Sequence, residues 1–112
     1  MEDLKKFGIN IPKEGKLIID ISSQWCGPCK LLSPVLEKLR DKGLIKLIQL
    51  DINENLELGQ ELNIYMVPTL LFFKNGTLLE KDIKVYGEKL VERGVMIGAA
   101  GELILKEIIN QM

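Results

Sequence analysis

Two cysteines stand three positions apart in Trp25-Cys26-Gly27-Pro28-Cys29-Lys30, and the chain has no others. Thiols at this spacing can close a small disulfide ring and open it again. In such a pair, one thiolate attacks a foreign disulfide, a mixed disulfide forms, and the second thiol resolves it. The thiolate is the nucleophile, and a free cysteine titrates near pH 8.5, so the environment decides which sulfur attacks. Cys26 is expected to be the exposed thiol, at the start of a helix whose first N–H groups lack partners and whose dipole favours negative charge. Lys30 adds a cation to the same turn. Cys29 is expected one turn in, more buried and less acidic. Pro28 suits a helix start, where its missing N–H is no loss, and Gly27 lets a partner chain approach closely.

A Cys-x-x-Cys can also be half of a zinc site. A structural zinc needs four ligands, and this chain has two cysteines and no histidine. Carboxylates or a second chain would have to supply the rest. The sequence context favours redox chemistry, because the pair sits between a strand and a helix. Before it, Leu17-Ile18-Ile19-Asp20-Ile21 reads as a short buried strand, apolar and β-branched. After it, Leu31, Leu32, Val35, Leu36 and Leu39 recur at helical spacing over residues 29–42, and Lys42-Gly43 ends the run. Pro34 falls inside that helix and is expected to kink it. Asp20 interrupts the strand, and a buried carboxylate is costly unless it pairs or works. Trp25, between turn residues and the first thiol, is expected as a partly exposed ring flanking Cys26.

Composition sets the bounds. The chain of 112 residues has room for one core, so 1–112 reads as a single domain. A net charge of −1 gives no sign of nucleic acid or an anionic membrane surface. No apolar run reaches membrane-spanning length, and no signal-peptide pattern opens the chain. Two thiols at redox spacing, without further pairs, fit a reducing cytoplasm better than a disulfide-stapled secreted domain.

Trp-Cys-Gly-Pro-Cys-Lys resembles the active-site motif of the thioredoxins. The resemblance runs from Leu17 to the C-terminus. It includes Leu17 to Asp20, Pro34, Leu50-Asp51-Ile52-Asn53, Val67-Pro68-Thr69-Leu70, Phe73-Lys74-Asn75-Gly76 and Gly98-Ala99. It implies an α/β thioredoxin fold with a central mixed sheet flanked by helices. It implies that Asp20 is a buried carboxylate that moves protons to and from Cys29. It also implies a cis bond before Pro68, packed against the cysteines, and a Val67 backbone that receives an extended substrate as an added strand. Gly98 would border the substrate groove.

The sequence departs from that family in four places. Residues 1–16 look too short for the usual strand and helix. A short helix through Leu4 and Phe7 is expected without the strand, which leaves a sheet of about four strands. Ser22 and Ser23 stand where a tryptophan and an alanine are common, and the lost bulk at Ser22 would loosen the packing. Gln49, on a strand over 45–52, stands where a lysine often faces the buried aspartate. It can hydrogen-bond Asp20 but brings no charge. The fourth departure follows the hairpin signal Asn75-Gly76. An insertion near 77–97 carries a second turn, Tyr86-Gly87, between alternating segments, and reads as a protruding hairpin or an elongated edge pair, a solvated decoration rather than a partner-contact arm. Asn53 is a candidate cap for a helix over 54–62. Leu103, Ile104, Leu105, Ile108 and Ile109 would form the buried face of a last helix from Glu102 to about Asn110.

The resemblance thus implies a monomeric protein disulfide reductase with Cys26 as nucleophile, Cys29 as resolving thiol and Asp20 as proton-handling carboxylate. Trp25, Gly27, Pro28, Val67, Pro68 and Gly98 would form the docking surface. No cofactor or metal is implied beyond the Cys26–Cys29 disulfide. The implied partners are thioredoxin reductase or an equivalent electron donor and disulfide-containing client proteins. A disulfide oxidase or isomerase, and a binding module with an incidental dithiol, are the alternatives.

Overall fold

The computed structural model describes residues 4–112. A 3₁₀ turn, Leu4–Phe7, opens the described chain and stops at Gly8. The strands are β1 (Lys16–Ser22), β2 (Lys46–Asp51), β3 (Thr69–Lys74), β4 (Thr77–Leu78), β5 (Ile83–Val85), β6 (Glu88–Val91) and β7 (Val95–Ile97). The helices are α1 (Gly27–Asp41), α2 (Leu56–Glu61) and α3 (Glu102–Gln111).

β1 lies at the centre. It pairs in parallel with β2, from Leu17 opposite Lys46 to Ser22 opposite Asp51. On its other side it pairs antiparallel with β3. The outer lane beside β3 is shared by two strands, β4 against Phe73 and Lys74, and β7 against Thr69 to Leu71. The sheet therefore has five strands in four lanes, and no strand precedes β1 among the described residues.

The insertion differs from its expectation. Thr77–Leu78 and Val95–Ile97 belong to the main sheet, and only residues between them leave it. Phe72 joins the two ends. Its C=O accepts from Leu79 N at 2.9 Å and its N–H donates to Gly94 O at 2.8 Å, so the ladder on β3 runs on across the gap. The ends abut so closely that a Cβ on Gly94 would lie 2.5 Å from the Leu79 oxygen. The excursion forms the β5–β6 hairpin, turning at Tyr86-Gly87 with both residues at positive φ, as a two-residue I′ turn requires. It is not a solvated decoration. Ile83, Val85 and Val91 are buried against Leu105, Ile108, Ile109 and Met112. Gln111 Nε2 also donates to the Lys84 carbonyl at 3.0 Å.

Two apolar clusters sandwich the sheet. One joins Ile18, Leu70 and Phe72 to Leu32, Leu36 and Leu39 of α1 and to α3. The other joins Ile19, Ile21, Leu71 and Phe73 to Leu58 of α2 and to Leu4 and Ile9. Lysines from the sheet close the end of α3. Lys16 Nζ donates to Ile109 O at 2.7 Å and Lys74 Nζ to Met112 O at 2.8 Å, satisfying carbonyls that a helix end leaves open.

Two helical expectations are corrected. Asp51, not Asn53, makes the cap after β2. Its carboxylate accepts from Asn53 N at 2.7 Å and starts a 3₁₀ turn, Ile52–Glu54, so α2 begins only at Leu56. Leu103 is 79% exposed and takes no part in the buried face of α3, which rests on Leu105, Ile108 and Ile109.

Candidate active site

Cys26 is the N-cap of α1, with extended backbone angles, and Pro28 sits in the first helical turn. Its sulfur accepts the backbone N–H of Cys29 at 3.1 Å, so an orphan donor of the helix start is spent on this sulfur. Cys26 is half-buried, whereas Cys29 is buried at 2% exposure. The two form a disulfide with their Cα atoms 5.2 Å apart. Trp25 is exposed, more fully than the sequence suggested, and Gly27 and Pro28 beside it are exposed too. Ser23 shapes this loop. Its Oγ accepts from Trp25 N and from Asn53 Nδ2, both at 3.3 Å, and so ties the loop before Cys26 to the turn after β2. Ser22 is half-buried, and its hydroxyl approaches Leu50 O at 3.5 Å.

The Val67–Pro68 bond is cis. Pro68 is buried, and its carbonyl accepts from Gly98 N at 2.8 Å, which extends the β3–β7 pairing by one step and brings these two expected residues together. Val67 is half-buried, and its N–H and C=O have no backbone partner among the described residues. Tyr65, Met66 and Ile97 are exposed apolar side chains and line a small cavity of about 160 Å³. The sequence reading missed these three, although two of them directly precede Val67 and one directly precedes Gly98.

Asp20 lies on β1 at 1% exposure, and neither carboxylate oxygen has a hydrogen-bond partner among the described residues. Gln49 is its register neighbour on β2, as the sequence reading had it, and lies close enough to lower the Asp20 pKa, although no bond of full hydrogen-bond geometry joins the two. The Gln49 amide nitrogen donates instead to Glu37 Oε2 at 3.1 Å. Burial raises the Asp20 pKa from an ordinary 3.8 to about 6, the nearby Gln49 and Ser33 pull it part of the way back, and the Glu37 charge pushes it up. Ser33 and Glu37 follow Cys29 at i+4 and i+8, which puts all three along one side of α1. That spacing was legible in the sequence and would have marked them. Among the described residues, no three cysteine, aspartate or glutamate side chains assemble into a metal-binding group.

A half-exposed sulfur capping a helix and disulfide-bonded to a buried one, on a helix whose next turns adjoin a buried carboxyl, defines a domain built around a closable dithiol. The sequence pattern of the family described as Thioredoxin matches residues 2–93, and the chain belongs to that family. It is 34% identical over 84 residues to the mitochondrial thioredoxin of Mus musculus, which covers 73% of this chain and 51% of the mouse protein. The chain thus spans about half the length of that relative. It is 36% identical over 72 residues to the thioredoxin of Bacillus subtilis, 62% of this chain and 69% of that protein. Among solved structures, mitochondrial thioredoxin 3 from Saccharomyces cerevisiae in its oxidised form superposes with a TM-score of 0.70 at 26% identity, covering 100% of this chain and 92% of the other. A mutant thioredoxin from Halobacterium salinarum gives 0.69 at 28% identity, covering 88% and 74%.

Proposed function

We propose that this protein is a thioredoxin-type disulfide oxidoreductase that reduces disulfides in client proteins. The observation that carries this reading is the inequality of the two sulfurs: Cys26 is half-buried and its sulfur accepts an orphan helix donor, whereas Cys29 is fully buried. In the reduced protein, the Cys26 thiolate attacks one client sulfur. The client S–S bond breaks, and its electron pair leaves on the second client sulfur, which takes up a proton. The Cys29 thiol then gives its proton to the Asp20 carboxylate while its sulfur attacks Cys26. The Cys26–client bond breaks, and the first client sulfur leaves with the electron pair. The client has gained two electrons and the protein holds the Cys26–Cys29 disulfide.

Asp20 suits the acceptor role. At a pKa of about 6 it is mostly ionised at neutral pH, yet it holds a proton more firmly than an ordinary carboxylate. Trp25, Gly27, Pro28, Val67, Pro68 and Gly98 form the docking surface in this reading. The unpartnered Val67 backbone offers an edge to an extended client segment. No further cofactor enters, since the dithiol carries both electrons. A thioredoxin reductase or equivalent donor restores the dithiol, and the protein works as a monomer in a reducing compartment such as the cytoplasm. Two cysteines at redox spacing, with no other pair, support that compartment.

Insulin-disulfide reduction, with dithiothreitol as electron source, tests the reading. The wild type is expected to accelerate insulin precipitation and Cys26→Ser to match the protein-free rate. A wild type no faster than dithiothreitol alone would reduce the chain to a binding module of this fold.

A further inference from the structure

The surroundings of Asp20 hold an assignment that the resemblance does not supply. Two hydrogen-bond donors, Gln49 and Ser33, lie close enough to this buried carboxyl to lower its pKa, yet both make their full hydrogen bonds to other acceptors. Ser33 Oγ donates to the Cys29 carbonyl at 3.1 Å. Gln49 Nε2 donates to Glu37 at 3.1 Å. A carboxylate accepts and does not donate, so Glu37 selects the NH₂ end of the Gln49 amide. That group has two N–H donors, and the bond to Glu37 fixes the nitrogen where neither reaches an Asp20 oxygen. Asp20 is left with both oxygens unpartnered among the described residues. The groups facing it are Ser33 and Glu37 of α1 and Gln49 of β2, with Leu70 of β3 opposite, and Glu37 is the charge among them.

We propose that Glu37 is a positioning residue for the resolving step: by holding the Gln49 amide it keeps that donor off Asp20 and leaves the carboxylate free to take the Cys29 proton. This rests on the disulfide-reductase reading above. In the step concerned, the Cys29 S–H bond breaks and its proton passes to an Asp20 oxygen. The sulfur's electron pair forms the bond to Cys26. The Cys26–client bond breaks, with its pair leaving on the client sulfur. A donor on Asp20 would stabilise its charged form and weaken it as a proton acceptor. Glu37 touches neither the client nor the sulfurs in this scheme and acts through Gln49.

Two substitutions separate holding from simple charge. Glu37→Gln removes the charge but keeps a carbonyl that can accept from Gln49. Glu37→Ala removes both. The Asp20 titration is followed in the oxidised protein, without client, by the infrared band of the protonated carboxyl, identified as the band lost in Asp20→Asn. Glu37→Ala is expected to lower the midpoint by about one pH unit, the scale of one hydrogen bond to a charged group. Glu37→Gln is expected to lower it by less. In a Gln49→Leu background, the difference between the two is expected to vanish. Release of client thiol from a Cys26 mixed disulfide is expected to slow at neutral pH in Glu37→Ala more than in Glu37→Gln. Equal midpoints for the two variants, or a difference that survives Gln49→Leu, would overturn the assignment. Because the titration uses no client, a failed insulin assay would defeat the reductase reading and leave this measurement interpretable by itself.

Discussion

Two carboxylates beside the same helix are driven in opposite directions. Asp20 lies beneath α1, without a hydrogen bond from any described residue, and burial raises its pKa to about 6. Glu102 starts α3 at the surface. Lys38 of α1 and Lys42, which caps that helix, reach it at 2.8 and 3.5 Å, and Lys106 of its own helix at 3.0 Å. Hydrogen bonds from Lys38 and Lys106 lower its pKa to about 2. The Glu102 group is the commoner arrangement, an exposed ion network that salt screens. The Asp20 group is costly to the fold, and that cost is the reason to look for a use. Desolvated carboxyls near reactive thiols mark functional sites more often than surface networks do.

The largest effect tests whether that cost serves the thiols. Cys29→Ser removes the thiol whose proton Asp20 takes in the proposed scheme. Turnover with insulin is expected to fall to the uncatalysed rate, and stable mixed disulfides on Cys26 are expected on non-reducing gels. If adducts fail to accumulate with a disulfide client, Cys29 does not resolve the intermediate and the buried carboxyl loses its purpose.

Asp20→Asn comes next. The folded pKa lies above the unfolded one, so the native state binds the extra proton between about pH 4 and about 6, and wild-type stability falls as pH rises through that window. Above it, the ionised group costs the fold about 3 kcal/mol. Denaturant unfolding of the oxidised forms is expected to show Asp20→Asn more stable than the wild type at about pH 8, by up to this amount, with the gap closing towards about pH 4. Single-turnover reduction of a client disulfide is expected to be slower in the same variant. A variant that is less stable in mild alkali and equally fast would place Asp20 among ordinary strand residues.

Gln49→Lys gives Asp20 what Glu102 has. A cation at the register neighbour opposes the effect of burial, so the Asp20 midpoint is expected to fall by about one pH unit in carbon NMR titration. An unchanged midpoint would mean that Glu37 captures the new cation, as it now captures the amide.

The smallest effect belongs to Glu102. Its pKa is lowered, so its contribution is present above the unfolded value of 4.5 and is lost as pH falls towards 2. Glu102→Gln is expected to lower the melting temperature slightly at neutral pH and low salt, and not in strong acid or in high salt. A large, salt-insensitive loss would erase the contrast with Asp20.

Much of this was readable in the chain. Cys26 and Cys29 came from spacing alone, and the strand before them and helix after them from period. Asn75-Gly76 and Tyr86-Gly87 both form tight turns with positive φ at all four positions, which Asn and Gly favour and Tyr86 does not. The outward reading of the insertion failed because alternation reveals that a strand has an apolar face, not what covers it. Ile83, Val85 and Val91 alternate as an edge hairpin would, and only the position of α3 buries them. The cap after β2 moved from Asn53 to Asp51 because both residue types cap equally well, and the turn geometry chose between them.

By itself the sequence determined the cysteine pair, its order along the helix, the acid in the apolar strand and the family. These are local matters: a thiol at a helix start, and an acid in an apolar strand, have the same physics in any fold that keeps them. The tertiary structure decided the partners. Gln49 and Ser33 were available to Asp20, and their bonds went to Glu37 and to the Cys29 carbonyl instead. No pattern along one strand or one helix settles that outcome. A hydrogen bond forms with the best-placed acceptor, and placement is fixed only when β1, β2 and α1 are packed together.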